Sequence, residues 1–106
     1  MPKFLLEVNY TLSGVRGLLA EGGSAREAAA RAAVESVGGK VESFLFAFGG
    51  TDVFVVADLP DNASAAAMAL AVAAGGGATT KTVALLTTAE VDAAAAKQVG
   101  YRPPGG

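Results

Sequence analysis

The stretch VESFLFAFGGTDVFVVADLP, residues 41–60, decides the fold. Two apolar runs flank Gly49-Gly50-Thr51-Asp52, the pattern of two antiparallel strands joined by a tight turn. Four of the five phenylalanines lie in it (Phe44, Phe46, Phe48, Phe54), beside Val53, Val55 and Val56. Burying each such side chain contributes ~1.5–3 kcal/mol, so the hairpin is expected at the centre of the core. Its register depends on the turn. A two-residue turn at Gly50-Thr51 pairs Phe46 with Val55. A three-residue loop pairs Phe46 with Phe54 and sets Glu42 opposite Asp58. Facing carboxylates are unfavourable, which favours the shorter turn.

Before the hairpin, KFLLEVNYT (residues 3–11) alternates Phe4, Leu6, Val8 and Tyr10 against Leu5, Glu7, Asn9 and Thr11, as a half-buried strand does. Ser13 is the expected cap of a short helix over GVRGLLA, and Glu21-Gly22-Gly23 interrupts it. Ser24 with Glu27 reads as a capping box for a second helix, Ala25 to Val37. Its solvated edge is Glu27, Arg31 and Glu35, and its buried stripe is Ala30, Ala33, Val34 and Val37. Beyond the hairpin, Pro60-Asp61-Asn62 stops the strand, with Asn62 as the cap of a helix over Ala63 to Ala74. That helix is apolar all round apart from Ser64, so either the C-terminal segment or a second subunit is expected to cover it. Thr79 to Leu86 reads as a fourth strand. Thr87 and Glu90 form a capping box for a last helix, Ala89 to Gln98, and Tyr101-Arg102-Pro103-Pro104 is an extended tail suited to a subunit contact.

The order is β-α-β-β-α-β plus a terminal helix. Short right-handed connections then give an α+β, ferredoxin-like domain over residues 1–106, with an antiparallel four-stranded sheet of order 4-1-3-2 and the helices on one face. The other face is left bare. Two bare faces packed together make a dimeric α/β barrel, so a homodimer or higher homo-oligomer is expected.

Composition supports that expectation. The chain is 52% hydrophobic with a mean hydropathy of +0.44, and a compact monomer of its mass exposes only ~5,400 Å². Net charge is −2 without a block of like charges, which speaks against nucleic acid or an anionic membrane as partner. Histidine and cysteine are absent. That excludes disulfides, thiolate and imidazole chemistry, and His- or Cys-based metal sets. No clustered acidic motif suggests an oxygen-only metal site, and no cofactor is expected. Glu7 interrupts any signal-peptide core, and the most apolar window, Ala63 to Ala74, is too short to span a bilayer. The reading is of a cytoplasmic protein.

The polar groups that strands can carry to a pocket are few. Glu7, Asn9 and Lys81 lie on the first and fourth strands, which are neighbours in the 4-1-3-2 order, with Lys81 expected opposite Asn9 and diagonal to Glu7. A carboxylate in an apolar barrel mouth has its pKa pushed up, as a general acid or base requires. The bland alternative is a cross-strand pair. Tyr10 and Phe46 offer aromatic surface, and Asp52 either takes backbone N–H groups at the turn or faces a ligand. Gly75 to Thr82, GGGATTKT, lacks the glycine before lysine and the following helix of a phosphate loop. Two readings stand. One is a homo-oligomeric barrel binding a small apolar or aromatic molecule, with Glu7 as the weak candidate for a catalytic base. The other is a non-catalytic assembly module with no small ligand.

MPKFLLEVNYT, GVRGLLAEGG, FAFGGTDVFVVADLPDNASA and the closing YRPPG together resemble the GYD-domain family, small bacterial proteins of the dimeric α/β-barrel type. The likeness runs along nearly the whole chain. It implies the ferredoxin-like fold and the dimer. Wider relatives of that fold include cofactor-free monooxygenases, muconolactone-type isomerases and small-ligand binders. The tripeptide that gives the family its name corresponds to Gly50-Thr51-Asp52, where threonine replaces the aromatic residue.

Overall fold

The alternating first segment forms β1 (Lys3–Tyr10), the central strand on which the others assemble. The computed structural model describes every residue from Met1 to Gly106. After β1 come α1 (Leu12–Glu21), α2 (Gly23–Ser36), β2 (Lys40–Phe46), β3 (Val53–Asp58), α3 (Asn62–Gly75), β4 (Ala78–Leu85) and α4 (Thr88–Ala95). The strands form one antiparallel sheet in the order β2-β3-β1-β4. This is the expected ferredoxin-like arrangement, and it is a single chain: the barrel and the dimer are not part of it.

The hairpin departs from its expected register. Phe46 pairs with Val53, not Val55, and the Ala47 N–H donates to the Asp52 carbonyl at 2.8 Å, so four residues, Phe48 to Thr51, close the turn. The reason lies on β1. The Asp52 N–H donates to the Val8 carbonyl at 2.9 Å and the Asp52 carboxylate accepts the Tyr10 N–H at 2.8 Å, so Asp52 belongs to the ladder rather than the loop. The feared carboxylate clash never arises. A bulge at Glu42 shifts the register so that Lys40 faces Asp58.

Nine residues are buried: Phe4, Leu6, Val34, Val41, Val53, Val55, Ala57, Leu59 and Ala65. The hairpin's valines therefore supply the core and its phenylalanines do not. Phe44 is half-buried, while Phe46, Phe48 and Phe54 are exposed; the one buried phenylalanine is Phe4, on β1. Edge position explains it, since β2 has a neighbour on one side only and Phe54 points to the uncovered face. On that face Leu5, Val56 and Val83 form one cross-strand row, and Leu45, Phe54, Glu7 and Lys81 the next. Leu45, Phe54 and Val83 are exposed there.

Several caps also differ from expectation. Thr11, not Ser13, caps α1 by accepting the Gly14 N–H. At α2 the cap is Gly22, whose φ of 85° breaks the chain between the two helices, and Ser24 caps nothing. Glu27 instead pairs with Arg31 at 2.9 Å, and Glu35 is left out of the ion pairs. At α3 the cap is Asp61, which accepts the Ser64 N–H at 2.8 Å; Asn62 is the first helical residue. The Thr87–Glu90 capping box of α4 forms as expected, but α4 ends at Ala95. No helix is long and apolar enough to cross a membrane.

Lys3 ties the lower end of the sheet. Its Nζ lies 2.7 Å from Glu42 Oε2 and 2.9 Å from Asp58 Oδ1. The hydrogen bond from the ammonium holds the Asp58 carboxyl below its ordinary value, while Glu42 first and Asp58 second hold Lys3 above its own. A depressed carboxyl pKa contributes stability above the unfolded value and loses it as pH falls through the folded one. Lys3→Met is therefore expected to raise the Asp58 titration midpoint seen by NMR. The stability gap to the parent should narrow as pH drops below about 4. An unmoved midpoint would mean that the bridge is absent in solution.

Candidate functional site

Helix α2 packs on β2 and α3 on β4, without comparable packing between the two helices. A groove opens between them above the sheet. Its inner part is an apolar chamber of about 140 Å³, floored by Val8, Phe44 and Val53 and walled by Ala30, Ala33, Met68 and Val72. Its outer part is a cleft of about 370 Å³ edged by Ser13, Gly14, Gly17 and Glu21 of α1 and by Gly75 and Gly77. Tyr10, Arg26, Val72 and Ala78 line both, so chamber and cleft are continuous.

The polar groups converge where the two parts meet. Tyr10 is the last residue of β1 and shares the helix-side face with Phe4, Leu6 and Val8. Arg26 sits in the first turns of α2, and its Nη1 donates to Glu21 Oε1 at 3.0 Å across the break at Gly22. Glu21 is the main reason that the Arg26 guanidinium is held above its ordinary pKa, with the Tyr10 hydroxyl adding in the same direction. One bond to Glu21 leaves most of the five guanidinium donors free. No group of three or more acidic, histidine or cysteine side chains is placed to hold a metal ion.

A model of the GYD domain matches residues 4–95. The chain belongs to the GYD-domain family. No curated protein and no solved structure matches it. In this GYD domain the stretch Gly50-Thr51-Asp52 is tied to the end of β1. Asn9 Nδ2 donates to the Gly50 carbonyl at 2.8 Å and Asp52 binds the Tyr10 and Val8 backbone, so the turn is clamped to the end of β1.

The six residues singled out from the sequence fall in three places. Tyr10 lines the groove. Asn9 and Asp52 hold the turn, and Phe46 lies against Gly23 and edge-on to Phe44 at 5.2 Å between ring centroids. Glu7 and Lys81 are directly opposite each other on the uncovered sheet face, with Thr79, not Lys81, facing Asn9. Glu7 and Lys81 form no ion pair within 4.0 Å. Arg26, Glu21 and Met68 were missed as groove residues. A signal existed for Arg26, which lies one turn before Ala30 and so extends the buried stripe Ala30, Ala33, Val37. Nothing in the sequence showed that α2 and α3 stand apart.

Two glycines of the cleft are there for different reasons. A Cβ on Gly14 would collide with the Gly77 carbonyl, because Thr11 N–H donates to that oxygen at 3.0 Å and draws α1 onto the α3–β4 connection. A Cβ on Gly17 would meet nothing within 4 Å, so this mid-helix glycine weakens α1 by about 0.5–1 kcal/mol relative to alanine with no packing return. Gly14→Ala is expected to destabilise the domain by about 1–3 kcal/mol, and Gly17→Ala to stabilise it by about 0.5–1 kcal/mol. Urea unfolding of the two variants checks both signs.

Proposed function

We propose that this GYD domain is a self-associating protein that binds a small ring-bearing molecule with an oxygen-bearing head. The groove between α2 and α3 carries the reading. An apolar cavity of about 150 Å³ holds a benzene ring, and the chamber here is about 140 Å³. The head group would then reach the Arg26 guanidinium and the Tyr10 hydroxyl, while the cleft admits substituents past Gly17. Glycine there leaves room for close approach.

Self-association is supported by the uncovered sheet face, whose Leu45, Phe54 and Val83 remain exposed. Sheets packed face to face bury such rows at a spacing of about 10 Å. Glu7 and Lys81 lie on that face, away from the groove, and in this reading belong to the contact between subunits. The proposal is one of binding. Glu21 is the groove's one carboxylate and is occupied by Arg26. A second reading, an assembly module without a small ligand, is favoured by the amount of surface the chain leaves exposed.

Phenylacetate and phenethylammonium, which share a ring and differ in head-group charge, test the reading in an amide NMR titration. Phenylacetate is expected to shift Tyr10, Arg26, Met68 and Val72, and Arg26→Met to weaken it about 10-fold or more. Absence of any groove shift at about 10 mM probe, or equal binding of the ammonium, would count against this ligand class.

A further inference from the structure

From Leu86 to Gly106 every residue is exposed, and none of α4 is buried. The segment follows β4, an edge strand that pairs with β1 along its length but is left uncovered towards its end. Lys81 to Ala84 are exposed, including Thr82 and Ala84, which share the helix-side face with Leu6 and Phe4. The result is an elongated chain. Its radius of gyration is 16.8 Å and its longest dimension 55 Å, against about 13 Å for the radius of a compact domain of this length. We propose that residues 86–106 form an exchange arm that docks on a second copy of this chain, which receives it and returns its own.

Three observations support this occupant. First, α4 has eight residues, and helices shorter than ~12–15 residues are marginal in water unless packing supports them. Its own domain supplies no such packing, although Val91, Val99 and Tyr101 present apolar surface. Second, the arm is electrically balanced, with two acids (Glu90, Asp92) against two bases (Lys97, Arg102). Nothing in it selects a nucleic acid, an anionic membrane or a strongly charged protein. Third, the areas agree. The chain exposes 6967 Å², about 1,600 Å² more than a compact monomer of its mass. Removing that much from each of two chains buries about 3,200 Å², within the range of obligate homodimers. Reciprocal exchange is a closed, two-fold contact and leaves no arm unpaired. It needs a second copy but neither a ligand in the groove nor sheet-to-sheet packing.

Hydrogen exchange on the full chain tests this, with native mass spectrometry at the same concentrations reporting subunit number. The amides of Val91 to Ala96 are expected to be protected at least about 10-fold over an unstructured peptide in the oligomer. On dilution they should lose that protection in step with dissociation. Val91→Asp and, separately, Val99→Asp should release the arm and raise the dissociation constant about 10-fold or more. The β3 amides, Val53 to Ala57, should stay protected in both variants, since neither side chain is part of the core. An oligomer whose α4 amides exchange freely overturns the arm while leaving sheet-to-sheet association intact. A monomer at all concentrations, protection that survives dilution to monomer, or loss of β3 protection in both variants overturns it as well.

Discussion

The period of two along β1 is the constraint on which everything else rests. The strand is hydrogen-bonded on both sides, to β3 and to β4, so its side chains assign a face to every residue opposite them. Phe4, Leu6, Val8 and Tyr10 look towards the helices; Leu5, Glu7 and Asn9 look away. A slip of one residue would exchange the two sets and place Glu7 under α2 and α3. The slip is blocked at both ends. Lys3 bridges Glu42 and Asp58 at one end, and at the other the Asp52 carboxylate takes the Tyr10 N–H.

From that assignment follows the separation of two surfaces with different chemistry. On the helix side Tyr10 ends the apolar row exactly where Arg26 and Glu21 stand, and the groove becomes amphipathic along its length. On the other side apolar rows alternate with the Glu7 and Lys81 pair, a composition suited to a contact that must also be specific. The division also explains why the few charged strand residues do not gather into one site. The sheet itself keeps them away from the groove.

The single chain leaves much of its apolar surface in water. Only nine residues are buried, α3 is covered on one side with Leu70 left exposed, and none of α4 is buried. The abundance of alanine contributes to this. Small side chains fill little volume, so α2 and α3 pack on the sheet with little packing between them, and the space left there is the groove. Groove and exposed surface thus share one origin in the composition.

The amino-acid sequence by itself determined the element order, the strand order, the break at Gly22, the pairing of Glu27 with Arg31 and the capping box at Thr87. Each depends on residues within a few positions of one another, or on the short connections that leave one right-handed topology open. It also made Tyr10 a candidate through the alternation of β1. The rest was decided by contacts between distant segments. Asp52 joins the ladder because β1 lies beside it, which lengthens the turn and moves Phe46 opposite Val53. Thr11 caps α1 from the end of a strand, and its bond to Gly77 brings Gly14 of α1 against the α3–β4 connection. The Arg26 site exists because a helix break, a strand end and the gap between two helices meet in space. Local propensity carries no term for such a meeting.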